Sequence, residues 1–348
     1  MANVLEALIY ASERAACIAR YCAASLSDEN LVVTEKSGDE ANSRFEHDFK
    51  TIADVLAQEA AKVEIGHHCQ NLASSVWGEE CGEINGHPIK LGDNIDKTAL
   101  LLSQIVPKEQ ALKLAEGCHC ELNPKLFGEL PYDLPAIDDA TLGVWIDPID
   151  ATAEFIAGVK NKHTADSESG LSCVTVLIGA FVKSTGEPVM GVVNQPFYDN
   201  GNGRILWGAS YSDYGRMGGC ETPSSHNDNT VLVSSAESPE LVERFRSSGW
   251  EVKPAKGCGH KLLKVALGEA AAYFVTKGTT FYWDTCAPHA VIKASGGDIL
   301  SCATLTPVTY MTNTENEKAH CNSDGIIAYS QQKVLIFSEY FRCFVLCE

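Results

Sequence analysis

The chain has 348 residues, more than a single hydrophobic core usually organises, so two domains or one large layered domain are expected. Apolar residues make up 45% of it, and 46 acidic against 27 basic residues give a formal net charge of −19. With no basic cluster in the chain, this argues against nucleic acid or an anionic membrane as a partner. A polyanionic small-molecule substrate is repelled by the same field unless bound cations reverse its sign locally.

The 14 cysteines are scattered, and the start Met1-Ala2-Asn3-Val4 lacks the basic and apolar regions of a signal peptide, so free thiols and a cytoplasmic location are expected. No apolar run approaches the roughly 20 residues of a membrane span.

In chain order, Val4, Leu5, Leu8, Ile9, Ala15, Ile18, Ala19 and Cys22 follow helical spacing and predict an amphipathic core helix. Thr34 to Glu46 reads as a polar loop. A second helix follows, with Ile52, Val55, Leu56, Ala60 and Val63 on one face. Asp54 lies beside that stripe near the helix start, where an acid is favoured by the helix dipole without any further role. Leu72 to Trp77 ends in Gly78-Glu79-Glu80-Cys81-Gly82. That is either an exposed turn or a pair of acids at a strand end, able to share cations. Between Glu83 and Asp139 the chain is uneven, with helices expected over Lys97 to Ile105 and Lys108 to Glu116. Cys118-His119-Cys120 has no second pair at zinc-finger spacing and is read as packing.

Val144-Trp145-Ile146 reads as the end of a buried strand. Pro148 forbids helix at Asp147, so Asp147 and Asp150 are held in a turn at that strand end. Ala151 and Thr152 open a candidate helix whose first N–H groups favour an anion such as phosphate. The plainer reading makes Asp150 a helix cap. After a polar segment from Lys160 to Ser169, Leu171 to Val182 is a buried strand, paired through a turn with Val189 to Phe197 as an antiparallel hairpin. The Gly-, Ser-, Asn- and Pro-rich stretch Tyr211 to Asn229 is the best linker, and it divides the chain into domains 1–222 and 223–348. Thr230 to Ser234 and Ala271 to Val275 read as strands, Ser238-Pro239 as a helix start, and Gly257-Cys258-Gly259 as a tight turn before a helix. Asp284 begins a further helix that Gly296-Gly297 ends.

Separately ambiguous, the acids Asp54, Glu79, Glu80, Asp147, Asp150 and Asp284 all occupy strand ends and helix starts that can converge. Oxygen-only ligands without paired histidines suit Mg²⁺ rather than zinc. The stretches Gly78-Glu79-Glu80, Asp147-Pro148-Ile149-Asp150-Ala151-Thr152 and Trp283-Asp284-Thr285-Cys286-Ala287-Pro288-His289, in this order, resemble the lithium-sensitive, Mg²⁺-dependent sugar and inositol phosphatases over roughly residues 1 to 330. The flanks Phe49 to Asp54, Val192 to Phe197 and Thr279-Thr280-Phe281 are most similar to members acting on inositol polyphosphates. The runner-up is the 3′(2′),5′-bisphosphate nucleotidases, and a catalytically silent binding or scaffold protein is a further alternative.

The resemblance implies an αβαβα layered sandwich, an α+β half joined to an α/β half. It implies Li⁺-inhibited hydrolysis of the 1-phosphate from inositol 1,4-bisphosphate and inositol 1,3,4-trisphosphate by metal-activated water, in a monomer with a small-molecule partner. Two or three Mg²⁺ ions are implied. Glu79 and Asp147 with the Ile149 carbonyl hold one, Asp147, Asp150 and Asp284 another, and Glu80 a looser third. Asp54 and Thr152, with Glu79, serve catalysis by orienting the attacking water. The N–H groups of Ala151 and Thr152 receive phosphate, and Lys261 and Thr279 are expected to touch the substrate's other groups. Two departures stand out: Ala151 lies where the family usually has glycine or serine, and Val334 to Leu346 forms an apolar tail in place of a basic helix.

Overall fold

The computed structural model describes residues 3–25, 31–36, 48–122, 130–160, 169–219, 229–235, 237–312 and 320–330. The polar segment after Lys160, the proposed domain boundary at 222 and the apolar tail lie outside the described residues. Helix α1 (Val4–Ser25) packs on α2 (Ile52–His68), preceded by the short pair β1 (Thr34–Glu35) and β2 (Phe49–Lys50). The expected loop from Thr34 therefore opens with a bridge to the strand before α2. The buried face of α2 runs through Ile52, Ala53, Leu56, Ala57, Ala60 and Ala61, whereas Val63 is exposed. The alanine rows, which a count of large apolar residues overlooks, decide which side faces inward.

Strand β3 (Val76–Gly78), the small hairpin β4 (Glu83–Ile84) and β5 (His87–Pro88), and helices α3 (Ile95–Leu102) and α4 (Lys108–His119) lead to β6 (Leu142–Asp150). The expected turn at Asp147 is an interruption inside β6. Pairing with β7 (Thr175–Val182) runs from Leu142 to Asp147, breaks across Pro148 and resumes at Asp150 opposite Thr175. A proline cannot donate to the ladder, and the resulting bulge turns two carboxylates out of one strand end. Helix α5 (Thr152–Lys160) follows directly. The residues Gly170–Cys173 form a 3₁₀ turn rather than the start of β7. Strand β8 (Pro188–Gln195), the turn-like α6 (Tyr198–Gly201), β9 (Arg204–Tyr211) and β10 (Tyr214–Gly218) complete a six-stranded sheet ordered β10-β9-β8-β7-β6-β3. Only β3 and β6 run parallel in it.

The remaining elements are β11 (Thr230–Val233), α7 (Pro239–Ser247), β12 (Glu251–Pro254), α8 (Cys258–Ala266), β13 (Ala272–Val275), α9 (Tyr282–Ala294), β14 (Asp298–Ser301) and β15 (Ile326–Tyr329). They build a second sheet ordered β12-β11-β13-β15-β14, parallel at β12-β11-β13 and antiparallel beyond. The side-chain alternation of the strands separates three cores. Val144, Ile146, Val176, Ile178 and Val192 face α1 and α2. Trp145, Leu177, Phe181, Leu232 and Tyr273 face α8 and α9 between the sheets. Val231, Val233 and Phe274 meet Phe245 of α7. The layers are thus αβαβα, as expected.

Helix α9 lies unusually close on the first sheet. Gly179, Gly191 and Gly208 are cross-strand neighbours on β7, β8 and β9. A Cβ on them would stand 2.4 Å from Ala287 N, 2.1 Å from Ala287 O and 2.5 Å from Val291 Cα, respectively. Only hydrogen fits there, and the helix rests directly on the backbone of three strands.

Candidate active site

Two parallel strands set the first acids. Gly78 of β3 is registered with Ile146 of β6, and Glu79 N donates to Ile146 O at 3.1 Å, so Glu79 and Asp147 leave neighbouring strands side by side. Gln58 of α2 clamps the next residue: Glu80 N donates to Gln58 Oε1 at 2.9 Å and Gln58 Nε2 to Glu80 O at 2.5 Å. A Cβ at Gly78 would collide with that glutamine, 2.0 Å from Oε1, which is the physical reason for glycine before the two acids.

The N-termini of two helices bring in the others by the same local device. In α2, Asp54 is the third helical residue and folds back to the cap, accepting from Thr51 N at 2.8 Å and Thr51 Oγ1 at 2.5 Å through Oδ2. In α9, Asp284 accepts from Phe281 N at 2.6 Å, also through Oδ2. Each carboxylate thus uses one oxygen as half of a capping box and keeps the other for the site. Asp54 Oδ1 accepts from Thr152 Oγ1 at 3.2 Å, and that hydroxyl also lies 3.2 Å from Ile149 O. The capping role and the functional role are compatible in the same residue.

One oxygen each of Asp147, Asp150 and Asp284 lie within 4.8 Å of one another, a group able to hold a metal ion. Asp150 is also tied down by Thr175 Oγ1 at 3.0 Å, Cys258 N at 3.2 Å and Gly259 N at 3.0 Å, the last two from the first turn of α8. Burial first, then Glu79, Asp150 and Asp284, holds the Asp147 carboxyl well above its usual range. Burial, Asp150 and Glu79 do the same for Asp284. Burial lifts Asp150 to about 6 against the opposing Lys261 charge and hydrogen bonds. It lifts Asp54 to about 6 despite the Thr51 bonds. Carboxylates crowded together out of water can all ionise only beside positive charge, and an oxygen-only donor set of this kind fits a hard divalent cation.

Lys36, for which no role was expected, supplies part of that charge. Its buried ammonium stands 2.6 Å from Glu79 Oε1 and 2.9 Å from Glu80 Oε1. Burial works to lower its pKa, but Glu79, Glu80 and Asp48 outweigh it and raise the value well above that of a free lysine. Glu80, buried beside other acids, is pushed up to about 8 even with Lys36 near. Glu79 and Glu80 therefore form a second, lysine-bridged group beside the Asp147–Asp150–Asp284 triad.

Ala151 separates β6 from α5 with φ +69°, which turns the chain so that the first turn of α5 starts at the site. Lys261 is buried, with Nζ donating to Ala255 O at 3.2 Å and lying 4.9 Å over the Tyr273 ring. Thr279 sits half-buried in the loop before α9, its N–H on Lys277 O at 2.7 Å. His289 is a buried packing group, hydrogen-bonded to Tyr310 Oη at 2.9 Å and Asp298 Oδ1 at 2.6 Å. Also unanticipated were Gln58, Thr175, Asn322 (which ties Thr280 to the start of α9) and the amides of Cys258 and Gly259.

A family model described as the inositol monophosphatase family matches residues 4–335. Mouse inositol polyphosphate 1-phosphatase is 32% identical, the match covering 96% of each chain. Rat 3′(2′),5′-bisphosphate nucleotidase 1 is 29% identical over a match covering 57% of this chain and 60% of its own. The solved structure of extragenic suppressor protein suhB from Bartonella henselae superimposes with a TM-score of 0.56 at 15% identity, covering 99% of this chain and 98% of that one, and so shares the fold. With the family model and a relative of near-equal extent agreeing, this chain belongs to the inositol monophosphatase family.

Proposed function

We propose that this protein is a Mg²⁺-dependent phosphomonoesterase that removes the 1-phosphate from inositol 1,4-bisphosphate and inositol 1,3,4-trisphosphate and is inhibited by Li⁺. The observation that carries the reading is the convergence of Asp147, Asp150 and Asp284 within 4.8 Å, next to the Asp54–Thr152 hydrogen bond. End-to-end similarity to the inositol polyphosphate 1-phosphatase of mouse supports the substrate class over the nucleotide alternative, whose relative matches over a shorter part of the chain.

Asp147, Asp150 and Asp284 would hold one Mg²⁺, Glu79, Asp147 and the Ile149 carbonyl a second, and Glu80 a looser third. When bound, the ions polarise the phosphoryl oxygens and acidify water. The residues of the chain do the rest. Thr152 donates its hydroxyl hydrogen to Asp54, so its oxygen is turned to accept a hydrogen bond from a water and hold it in line with the phosphorus. Asp54, lifted to about 6, is ionised at neutral pH and basic enough to draw that proton through the hydroxyl. The N–H groups that open α5 face the phosphate oxygens, as helix N-termini favour. Lys261 and Thr279 remain the proposed contacts to the substrate's other groups, Lys261 acting through its field from behind the wall of the site.

The test is phosphate release from inositol 1,4-bisphosphate, inositol 1,3,4-trisphosphate and adenosine 3′,5′-bisphosphate, with and without Mg²⁺ and Li⁺. Turnover of the two inositol compounds only in Mg²⁺ is expected. Activity on the nucleotide alone would replace this reading with the nucleotidase one, and the absence of both Mg²⁺ binding and turnover would favour a silent binding protein.

A further inference from the structure

Lys256 stands in the loop between β12 and α8, directly before the residues that hold Asp150. The backbone of that loop is fixed. Ala255 N donates to Val233 O at 3.3 Å, Ala255 O accepts from Lys261 Nζ at 3.2 Å, and Lys256 O lies 3.3 Å from His260 Nδ1. Gly257, the next residue, turns the chain with φ +71°, and a Cβ there would stand 3.2 Å from Asp150 Oδ2. The amides of Cys258 and Gly259 that follow are spent on the two oxygens of Asp150. Lys256 is thus mounted on a rigid base beside the acid triad.

Its side chain leads to the other helix that starts at the site. The ammonium lies 3.6 Å from Glu154 Oε1, and Glu154 is the third residue of α5, whose first N–H groups are the proposed seat of the scissile phosphate. The pairing is loose. Glu154 Oε2 is already held by Gly170 N at 2.7 Å, the Lys256 side chain is 53% exposed, and 3.6 Å is longer than a hydrogen bond. An ion pair of this kind contributes little, so its ammonium is easily given to a better acceptor. The other two lysines near the acids are committed: Lys36 is buried against Glu79 and Glu80, and Lys261 is buried with Nζ on Ala255 O.

We propose that Lys256 binds the phosphate that the substrate keeps, exchanging Glu154 for that group, which makes it a specificity residue of the active site. The proposal rests on the inositol polyphosphate reading above. A substrate of that class carries a second phosphate into a chain of net charge −19, and cations engaged with the scissile phosphate do not serve the retained one. A phosphate carries more charge than the Glu154 carboxylate and three strong acceptor oxygens. Lysine answers it as a compact charge with three donors on a flexible stem, able to follow the group without a preset geometry.

Steady-state kinetics on inositol 1,4-bisphosphate, with inorganic phosphate as a competing probe of the seat alone, tests this. Lys256→Met keeps the stem and removes the charge. It is expected to raise KM at least about tenfold, as when a hydrogen bond to a charged group is lost. At the same time kcat, the inhibition constant of inorganic phosphate and the Mg²⁺ dependence should stay within about twofold. Lys256→Arg, which keeps the charge, should bring KM back to within about threefold of the unaltered protein. An unchanged KM in Lys256→Met would overturn the proposal. So would an inhibition constant for inorganic phosphate that rises in parallel with KM, because the lysine would then act on the seat itself. A different result, no turnover of the bisphosphate by the unaltered protein, would overturn the inositol polyphosphate reading and this proposal with it.

Discussion

Helices α2 and α9 carry the same device to the same place from opposite faces of one sheet. Each has an acid at its third position, folded back on the cap with one oxygen and offering the other to the site. They differ in how they are seated. Helix α2 packs through side chains, its alanine face on the core it shares with α1, whereas α9 rests on the bare backbone of Gly179, Gly191 and Gly208. Side-chain packing leaves room for small adjustments, whereas contact between backbones leaves almost none. The acid carried on the glycine row, Asp284, belongs to the triad, where ligand atoms must meet within a few ångströms. Asp54, on the adjustable helix, offers its other oxygen to the Thr152 hydroxyl. The demand for precision and the rigidity of the seat go together.

The largest effects should separate the two acids. Asparagine can still accept the capping hydrogen bond, so both Asp284→Asn and Asp54→Asn should fold. Asp284→Asn removes a charge from the triad, and turnover is expected to fall at least about 10³-fold with Mg²⁺ affinity weakened, since a positioned cation supplies several kcal/mol of charge stabilisation. Asp54→Asn is expected to cost about 10²–10⁴-fold, the usual worth of a general base, with Mg²⁺ affinity close to wild type. Isothermal titration with Mg²⁺ alongside phosphate release distinguishes them. Equal loss of metal binding in both variants would erase the distinction between the helices.

The seat itself can be tested next. Gly191→Ala places a methyl carbon 2.1 Å from Ala287 O, so α9 must lift. Overpacking of this kind costs about 1–3 kcal/mol, read as a lower urea midpoint. Because the lifted helix carries Asp284, the activity remaining at saturating Mg²⁺ should fall by more than the folded fraction does. A stable, fully active Gly191→Ala would show that the glycine row does not set the ligand.

Charge gives a third handle. The folded-state values of Asp54 and Asp150, about 6, and Glu80, about 8, lie above those of free carboxyls. The folded protein therefore holds protons that the unfolded chain has released. Their contribution to stability is present below about pH 4 and is lost as pH rises through about 6 to 8. In chelator, the melting midpoint should decline across that interval on account of these groups. Mg²⁺ should flatten or reverse the decline by favouring the ionised forms, and a pH profile indifferent to Mg²⁺ would argue against cation binding there. Lys36→Met sharpens the test: with Glu79 and Glu80 deprived of their partner, the drop in chelator should deepen by about 3 kcal/mol, the cost of leaving a buried pair half-made, with Mg²⁺ restoring much of it.

The sequence made individual strands, helix starts and acids legible for reasons that are local, whereas the layered order came only through the family resemblance. Apolar runs rich in β-branched residues and bounded by a turn marked β7 and β8, Pro148 marked the break in β6, and Ser238-Pro239 marked the start of α7, whose cap the structure shows as Ser238 Oγ accepting from Leu241 N at 3.2 Å. What stayed hidden depends on distance along the chain. Lys36 meets Glu79 across 43 residues, Thr175 meets Asp150 across 25, and Gly259 meets Asp150 across 109; no periodicity records such meetings. The glycine row was visible only as three isolated glycines until the strand register aligned them. Asp54 is the intermediate case. On its own it read as a first-turn acid favoured by the helix dipole, and the structure shows one carboxylate oxygen spent on the cap and the other on Thr152.

The smallest expected effect falls at the joint between the strand and α5. Ala151 stands at φ +69°, a left-handed conformation that costs a residue with a Cβ about 1–2 kcal/mol and costs glycine nothing. Glycine also loosens the unfolded chain, which returns about 0.4–1 kcal/mol of that gain. Ala151→Gly should therefore stabilise the protein by roughly 0.5–1 kcal/mol, a shift of a few degrees or less in melting midpoint for a chain of this size. If the phosphate is received by backbone N–H groups alone, kcat and KM should stay within about twofold, since the substitution leaves those groups in place and removes only a methyl. A stabilised variant with a sharply raised KM would mean that the Ala151 methyl touches the substrate, and the first turn of α5 would then be a shaped pocket as well as a row of donors.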